Sequence, residues 1–344
     1  MEKPNDPRPA RITIKTVAKD AGVSVAAVSK VMRNAYGVSD ALRAKVTAAI
    51  DKLNYHPSTA ARGMRGRTFT VGVLLVEIAN PFLPQIIDGI NEVLAESNYR
   101  ALIGVGQSTA TLEAELLESM ISYHMDGLIL VAPQMPGTEL ARYAKQIPMV
   151  VIGHHEATAT AFDTVNSDDQ EGAAVVVRAF LQAGHKDIGM LSLWTDDPQK
   201  TNVVSHREIG FRKAMQRAGL SSKEKITRLA FDFQRHPLEV AAFLKSKKRP
   251  RALFCWSDLD AVHVLDYAKR LGLRVPEDIS VIGYDNSSPA ALAPIGLSSI
   301  DQSGRRLGSL AAEGLLTRIA GRGTASHLLI EPSIVIRTSF TVSR

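Results

Sequence analysis

The sequence predicts an all-α N-terminal head followed by an α/β body with parallel sheets, and three observations support this architecture. The chain has 344 residues, too many for one ordinary core, so two or three domains are expected. In the first 68 residues the apolar positions recur at helical spacing, and no strand-like run occurs. From residue 70 onward, short β-branched or leucine-rich runs alternate with segments of helical periodicity, as in βαβ units.

The body contains enough strand-like runs for two similar α/β lobes. After two successive layers, Ile300–Ala320 is interpreted as one helix and Leu328–Phe340 as strand-rich, so the chain is expected to cross back between the lobes. We expect a core over 69–344, with one lobe from about 69–165 and 298–322 and the other from about 166–297 and 323–344. The predicted strands are Thr70–Val76, Ala101–Val105, Gly127–Val131, Met149–Gly153, Ile188–Leu193, Ala252–Cys255 and Ile279–Gly283.

The excess positive charge lies entirely in the head. The whole chain has a formal net charge of +6, of which residues 1–68 carry +8 and the remainder −2. A basic module beside a near-neutral body favours a nucleic-acid partner, although charge alone fits a solubilising surface equally well.

Composition also indicates the cellular compartment in which the protein is found. The single cysteine, Cys255, excludes an internal disulfide and fits a reducing environment. Residues 1–12 are polar and proline-containing, so they are interpreted as a disordered leader and not as a secretory signal. No run approaches the roughly 20 apolar residues of a membrane helix. We expect a cytoplasmic protein with no membrane partner.

Residues 14–33 have the pattern of a helix-turn-helix. This motif needs a small residue where the helices cross, a residue tolerating positive φ at the turn, and apolar residues on the inner face of the second helix. Ala18, Gly22, Val28 and Val31 meet these needs, and Ser24 stands where a helix N-cap belongs. A plain helical hairpin is the alternative. A third helix is expected from Asp40 to about residue 54, with Ser39 as its cap.

The outward face of the second helix offers few polar groups for reading bases. Lys30 can bond a guanine edge or a phosphate, while Ser29 and Asn34 can bond phosphates. Val25 and Ala26 can make only apolar contacts, for example with a thymine methyl.

Together with further motifs along the body, these residues resemble the lactose/galactose repressor (LacI/GalR) family. The resemblance covers essentially residues 12–340. Its most specific segment is Leu273–Asn286. The other matching segments are Ile14–Ser24, Val28–Lys30, Val38–Ser39, Leu53–Pro57, Asn80–Phe82, Met125–Ile129, Ala183–His185 and His206–Phe211.

The resemblance implies a transcriptional regulator, in most cases a repressor of sugar uptake or catabolism genes. It implies a homodimer, or a dimer of dimers, on a near-palindromic operator, a helix-turn-helix domain over 13–56 and a hinge helix and linker over 57–68. It also implies a periplasmic-binding-protein-like core with a small sugar-like effector between two lobes. The residues it assigns to DNA contact are Thr16, Ser24, Val25, Ala26, Ser29, Lys30, Asn34, Ser39, Tyr55, Ala61 and Met64.

Three residues depart from the family's usual pattern. Met64 stands where the family has a leucine that wedges into the minor groove, and it remains apolar enough for that role. The family often has threonine at Ala27 and arginine at Lys30, so operator preference should differ from that of better-known relatives. Gly63 inside the hinge helix costs about 1 kcal/mol relative to alanine, which predicts a hinge that is less stable without DNA than is usual in the family.

The effector cleft is expected at the carboxyl ends of the strands, where open α/β sheets bind ligands. Arg207 and Asp285 fit the family's ligand-contacting positions best, and Phe82 or Trp256 could cover the apolar face of a sugar. Asp168 and Asp258 could instead cap helices. A purine is less favoured, because the extra arginine and aromatic stack it needs are not evident near Thr201. The candidate set is Asn80, Phe82, Gln107, Asp168, Arg207, Trp256, Ser257, Asp258, Asp285 and Gln302.

An enzyme and a periplasmic sugar receptor are the competing classes. Gly104 and Gly106 follow a strand, but no third glycine completes a dinucleotide fingerprint, and no phosphate loop is present. The nine histidines are scattered and Cys255 lies in a buried-looking run, so neither a metal site nor a nucleophile is indicated. The basic head argues against the receptor. We therefore expect neither catalysis nor a cofactor.

Overall fold

The chain, described by a computed structural model, forms two compact units, Met1–Thr68 and Phe69–Arg344. The structure describes residues 12–32, 35–55, 66–195, 200–220, 225–230 and 235–341. The predicted leader over 1–12 and hinge over 57–68 therefore lie almost wholly outside the described residues.

The head consists of three helices, α1 (Ile14–Ala21), α2 (Val25–Met32) and α3 (Asp40–Lys52). Gly22 ends α1 in the left-handed conformation, with φ +63°, which is the tight turn that the motif requires. The apolar faces of the three helices meet in one small core formed by Val17, Ala18, Val28, Val31, Val46, Ala49 and Tyr55.

The first lobe contains a six-stranded parallel sheet. Its strands are β1 (Thr70–Leu75), β2 (Arg100–Val105), β3 (Gly127–Val131), β4 (Met149–Ile152), β5 (Asp163–Ser167) and β11 (His327–Ile330). They lie in the order β11-β5-β4-β3-β1-β2. The helices that flank it are α4 (Leu83–Glu96), α5 (Ala110–Ser122), α6 (Gly137–Ala144) and α11 (Gly304–Ile319).

The second lobe repeats this plan. Its strands are β6 (Ile188–Leu193), β7 (Lys225–Leu229), β8 (Ala252–Cys255), β9 (Ser280–Tyr284), β10 (Ser298–Asp301) and β12 (Ser333–Val335), in the order β12-β10-β9-β8-β6-β7. Only β12 runs antiparallel to its neighbour among the strands described. The helices are α7 (Asp169–Gln182), α8 (Val203–Arg217), α9 (His236–Lys245) and α10 (Asp258–Arg270).

The predicted lobe boundaries are wrong in two places. The segment 298–322 was expected in the first lobe, but β10 pairs with β9 in the second sheet and only α11 packs on the first. The segment 323–344 was expected in the second lobe, but β11 pairs with β5 in the first sheet. The chain therefore crosses between the lobes three times, after β5, after β10 and after β11.

Helices α4 and α11 pack backbone to backbone in the first lobe. A Cβ at Gly308 would overlap the carbonyl oxygen of Ile86, and one at Gly89 would overlap that of Arg305. This close approach lets Leu307, Ala311 and Leu315 reach the core on the face of the first sheet. It fixes α11 to the first lobe, directly after the second crossing.

Candidate functional site

The outer face of α2 presents the side chains predicted to read DNA. Ala26 and Lys30 are exposed, and Val25 and Ser29 are half-buried. Ser24 caps this helix, since its Oγ accepts a hydrogen bond from the backbone N–H of Ala27 at 3.1 Å. The helix therefore offers one cation and mainly small side chains to a groove.

The other predicted DNA residues of the head have defined places. Ser39 caps α3, accepting from the N–H of Leu42 at 3.3 Å. Thr16 accepts from the N–H of Thr13 at 3.3 Å in a capping box at the start of α1. Tyr55 is 9% exposed and packs in the head core, and its contact with DNA stays a prediction. Asn34, Ala61 and Met64 lie outside the described residues.

Between the two lobes lies a cavity of about 180 Å³, the interlobe cavity. Residues at or just beyond the carboxyl ends of strands from both sheets line it, which is where parallel α/β sheets bind ligands. From the first lobe these include Val76, Ala132, Gly153 and Ser167. From the second they include Thr195, Trp256, Asp285 and Gln302.

A buried charged group, the Arg207 cluster of Arg207, Asp169 and Asp285, forms one wall of the interlobe cavity. All three residues are at most 3% exposed. The guanidinium Nε donates to Asp169 Oδ1 at 2.8 Å, and Nη1 donates to the Trp256 carbonyl. Nη1 also lies 4.0 Å from Asp285 Oδ1, and the guanidinium stacks 3.7 Å from the centre of the Tyr284 ring. These contacts fix the guanidinium before any ligand arrives.

The pKa values of the two carboxyl groups in this cluster are shifted in opposite directions. Burial alone would raise the pKa of Asp169, but the Arg207 guanidinium and His155 hold it below its ordinary value. Burial raises the pKa of Asp285 well above its ordinary value, although Arg207 opposes this. Gln302 Nε2 donates to Asp285 Oδ1 at 2.6 Å, while Oδ2 has no hydrogen-bond partner among the described residues. One carboxyl oxygen is thus left for a ligand.

Apolar surface forms most of the remaining wall. Phe82 and Trp256 both line the interlobe cavity, as predicted, together with Leu83, Ile86, Val131, Ile152, Leu193, Val204, Leu259 and Leu307. Asn80 and Ser257, two further predicted residues, also line it. An aromatic face beside hydrogen-bonding groups suits a ligand with one apolar side and polar edges.

Three predicted effector residues lie elsewhere. Asp168 caps α7, accepting from the N–H of Glu171 at 3.0 Å, and its neighbour Asp169 takes the place in the cavity wall. Gln107 is exposed, and Ser108 lines the cavity in its stead. Asp258 is buried away from the cavity, where its carboxylate accepts from Ser287 and Ser299.

Sequence reasoning missed the contact that joins the lobes beside Asp169. His155, from the first lobe, bonds Asp169 Oδ2 through Nε2 at 2.7 Å and stacks on His206 of the second lobe with ring centres 3.8 Å apart. Its backbone N–H donates to the Thr201 carbonyl at 2.7 Å. The same carboxylate therefore holds the cavity arginine and an interlobe histidine.

Neither a metal cluster nor a membrane-spanning helix occurs in the part of the chain that the structure describes. No cluster of three or more histidine, cysteine or acidic side chains suited to a metal ion occurs in the ranges that the structure describes. Within the same ranges, no helix is long and apolar enough to cross a membrane. Cys255 is fully buried, and burial raises the pKa of its thiol well above the usual value.

Comparison with known proteins identifies the class of protein. Residues 13–58 match the family described as "Bacterial regulatory proteins, lacI family", and residues 177–340 match "Periplasmic binding protein-like domain". The chain is 32% identical over 333 residues to the HTH-type transcriptional repressor PurR of Photobacterium profundum, covering 95% of this chain and 98% of that protein. The chain belongs to the lacI family of bacterial regulatory proteins. It is a DNA-binding transcriptional repressor and not an enzyme, as the sequence predicted.

Further relatives agree with this assignment. The ribose operon repressor of Haemophilus influenzae is 31% identical over 330 residues, covering 95% of this chain and 98% of that protein. The solved structure of the lac repressor dimer bound to operator and the anti-inducer ONPF superposes with a TM-score of 0.81 at 22% identity, covering 96% of this chain and 100% of that one. That likeness confirms the predicted fold, a helix-turn-helix head with a two-lobed α/β core.

Proposed function

We propose that this lacI-family repressor controls genes of sugar uptake or catabolism, and that a neutral, hydroxylated small molecule in the interlobe cavity sets its operator affinity. The observation that carries the proposal is the Arg207 cluster, which places a fixed guanidinium and an unpartnered carboxyl oxygen beside two aromatic side chains. Hydroxyl groups can both donate to Asp285 and accept from Arg207, so one class of ligand satisfies both groups.

The charges of the cavity favour a neutral ligand over an anion. Arg207 is the one cation among the described lining residues, and Asp169 already neutralises it at 2.8 Å. Glu77 adds an acidic group to the same lining. A phosphate or carboxylate would meet no free positive charge here, and an unpaired buried charge is costly.

The walls favour a ligand with an apolar face. Phe82 and Trp256 can each cover the C–H face of a sugar ring, while the polar groups satisfy its hydroxyls. A flat purine base is the alternative that these aromatic walls also allow, and it differs in having few hydroxyl groups. A screen with both classes separates the two.

The mechanism follows from where the ligand lies. A molecule that contacts both lobes binds best when they are closed, so it shifts the population toward that state. We propose a cytoplasmic homodimer, or a dimer of dimers, in which lobe closure changes how two heads are held on the two halves of a near-palindromic operator. Ala26, Ser29 and Lys30 of α2 face the groove in this proposal.

A thermal-shift screen of the full chain tests the effector class. Neutral sugars should raise the unfolding temperature, phosphorylated sugars should not, and purine bases serve as the third arm. Asp285→Ala should abolish the shift, because it removes the carboxyl group whose Oδ2 is left for the ligand. Asp168→Asn, outside the cavity and still a competent helix cap, should keep it.

Operator binding tests the remaining half of the proposal. Fluorescence anisotropy on DNA selected by the full chain should give tight, salt-sensitive binding that the ligand from the screen changes. A ligand that binds but leaves operator affinity unchanged would refute the proposed control. Stabilisation by phosphorylated sugars alone would refute the proposed ligand class.

A further inference from the structure

Behind Trp256, on the side away from the interlobe cavity, lies a buried histidine–carboxylate pair. Asp260 is fully buried on α10, and His236, the first residue of α9, is 1% exposed. His236 Nδ1 lies 2.7 Å from Asp260 Oδ1. Asp260 Oδ2 accepts from the indole Nε1–H of Trp256 at 2.6 Å and from the Ser257 hydroxyl at 3.2 Å. Asp260 therefore connects His236 to Trp256, whose side chain lines the interlobe cavity.

The partners of His236 determine its protonation. Nε2 lies 2.8 Å from the carbonyl oxygen of Ala230, which can only accept, so Nε2 must carry a proton. Nδ1 faces one oxygen of the Asp260 carboxyl group, whose other oxygen already accepts from an indole N–H and a hydroxyl. A proton on Nδ1 completes this arrangement. The ring is then an imidazolium that donates from both nitrogens.

We propose that His236 is a positioning residue of the interlobe cavity: its doubly donating imidazolium fixes Asp260, and Asp260 holds the indole of Trp256 in the cavity wall. The inference rests on the proposed function only in calling this wall an effector site. The shape of this wall then depends on the protonation of His236, which does not itself line the cavity.

The surroundings of the ring favour its charged form. Asp260 faces it from α10, Glu239 lies one turn along its own helix, and the Ala230 carbonyl faces it from the end of β7. On the far side of Asp260, Cys255 of β8 is a neutral thiol and Asp258 bonds Ser287 and Ser299. Burial lowers the pKa of His236, but these acceptors together raise it above its ordinary value. The indole is therefore held at neutral pH and released as pH rises.

Tryptophan fluorescence can follow this contact without any effector. The chain has two tryptophans, and Trp194→Phe removes the one that is 60% exposed. In the full chain with this change, acrylamide quenching of Trp256 should stay low at neutral pH and rise through one transition above pH 6.5. The emission maximum should move to longer wavelength in the same transition.

Two further variants in the same background assign the transition. His236→Gln should abolish it, because a neutral amide does not titrate. His263→Gln, a change of another histidine on the neighbouring helix α10, should keep it. Equal urea midpoints for the two variants at pH 7 would separate a positional effect from a loss of stability.

If His236→Gln fails to fold, nitrogen-15 NMR of histidine-labelled protein decides the question in the Trp194→Phe chain. One slowly exchanging histidine with both ring nitrogens protonated is expected at pH 7. A neutral ring at this buried position, or a transition that survives in His236→Gln, would overturn the proposal. A cavity that bound no small molecule would refute the effector function and leave this result intact.

Discussion

Replacing Arg207 by alanine should cost the core about 3–5 kcal/mol of unfolding free energy, the usual price of leaving a buried charge without its partner. The side chain is 3% exposed and is the counter-charge of Asp169, which is 1% exposed. Without it, Asp169 keeps only His155, and Asp285 keeps only Gln302 among the bonds described above. The contact with the Tyr284 ring is lost as well.

The loss should depend on pH in a defined direction. In the wild-type core the depressed pKa of Asp169 contributes stability above the unfolded pKa, and this stability is lost as pH falls through the folded value. Arg207→Ala removes the cause of that depression, so burial should raise the pKa of Asp169 and favour its protonated form. The variant should therefore be damaged less at pH 5 than at pH 8.

Urea denaturation of the full chain, followed by circular dichroism at both pH values, measures this loss. Arg178→Ala is the matched control, since Arg178 pairs with Glu171 at 2.6 Å but is 51% exposed, and it should cost under about 1 kcal/mol. The double change Arg207→Met with Asp169→Asn should recover part of the loss, because it removes both charges. A cost below about 1 kcal/mol for Arg207→Ala at both pH values would refute the view of a desolvated cluster. Asp285→Ala is for these reasons the better test of ligand contact.

Three further outcomes are expected. Lys30→Ala should weaken binding to selected operator DNA, measured by fluorescence anisotropy, and should lower the slope of log Kd against log salt concentration by about one. An unchanged slope would show that Lys30 does not contact a phosphate. Gly308→Ala should cost about 1–3 kcal/mol of unfolding free energy in urea, because its Cβ would overlap the Ile86 carbonyl. Gly314→Ala on the same helix is the control: the nearest atom to its Cβ is 3.5 Å away, so it should gain up to about 1 kcal/mol. Equal effects of the two changes would contradict the close packing. Burial raises the pKa of Glu113 from 4.5 to about 7, so the contribution of this side chain to stability should fall by about 3 kcal/mol as pH rises from 4 to 8. The stability difference from Glu113→Gln, measured by urea midpoints, should change across that window, and a constant difference would contradict the raised pKa.

The architecture was predictable because local periodicity reports local structure. The head followed from spacing alone: Ala18, Gly22 and Val28 serve the same purposes in any helix-turn-helix. The alternation of strands and helices likewise identified the two lobes. What periodicity cannot report is which sheet a strand joins, since both sheets are mainly parallel and contain similar apolar runs. This is why β10 and β11 were assigned to the wrong lobes.

The prediction of cavity residues succeeded for residues that directly follow a strand, and it failed where two adjacent residues had to be distinguished. Asp285 and Trp256 follow buried strands and line the interlobe cavity. Asp168 and Asp169 are adjacent, yet one caps a helix and the other faces the cavity, and composition cannot distinguish them. The backbone of Gln107 has a positive φ of +49°, so its side chain does not point in the direction that it would have in a continuing strand.

The pairing of His236 with Asp260 had no sequence signal at all. The two residues are 24 positions apart, on different helices, and neither belongs to a motif. Only packing brings them together, and only the contacts of both ring nitrogens support the charge that we propose for this histidine.

The three crossings between the lobes have a consequence for how the chain is synthesised. The first lobe begins with β1 but receives α11 and its edge strand β11 only from residues 304–330. Domains usually fold on the ribosome as each is completed, starting from the N-terminus. Here neither lobe is complete until nearly the whole core has been translated, and the last two strands then finish both lobes within nine residues. A nascent chain can fold its DNA-binding head early, but it cannot finish one lobe without finishing the other, so the head is ready before the part that is proposed to regulate it.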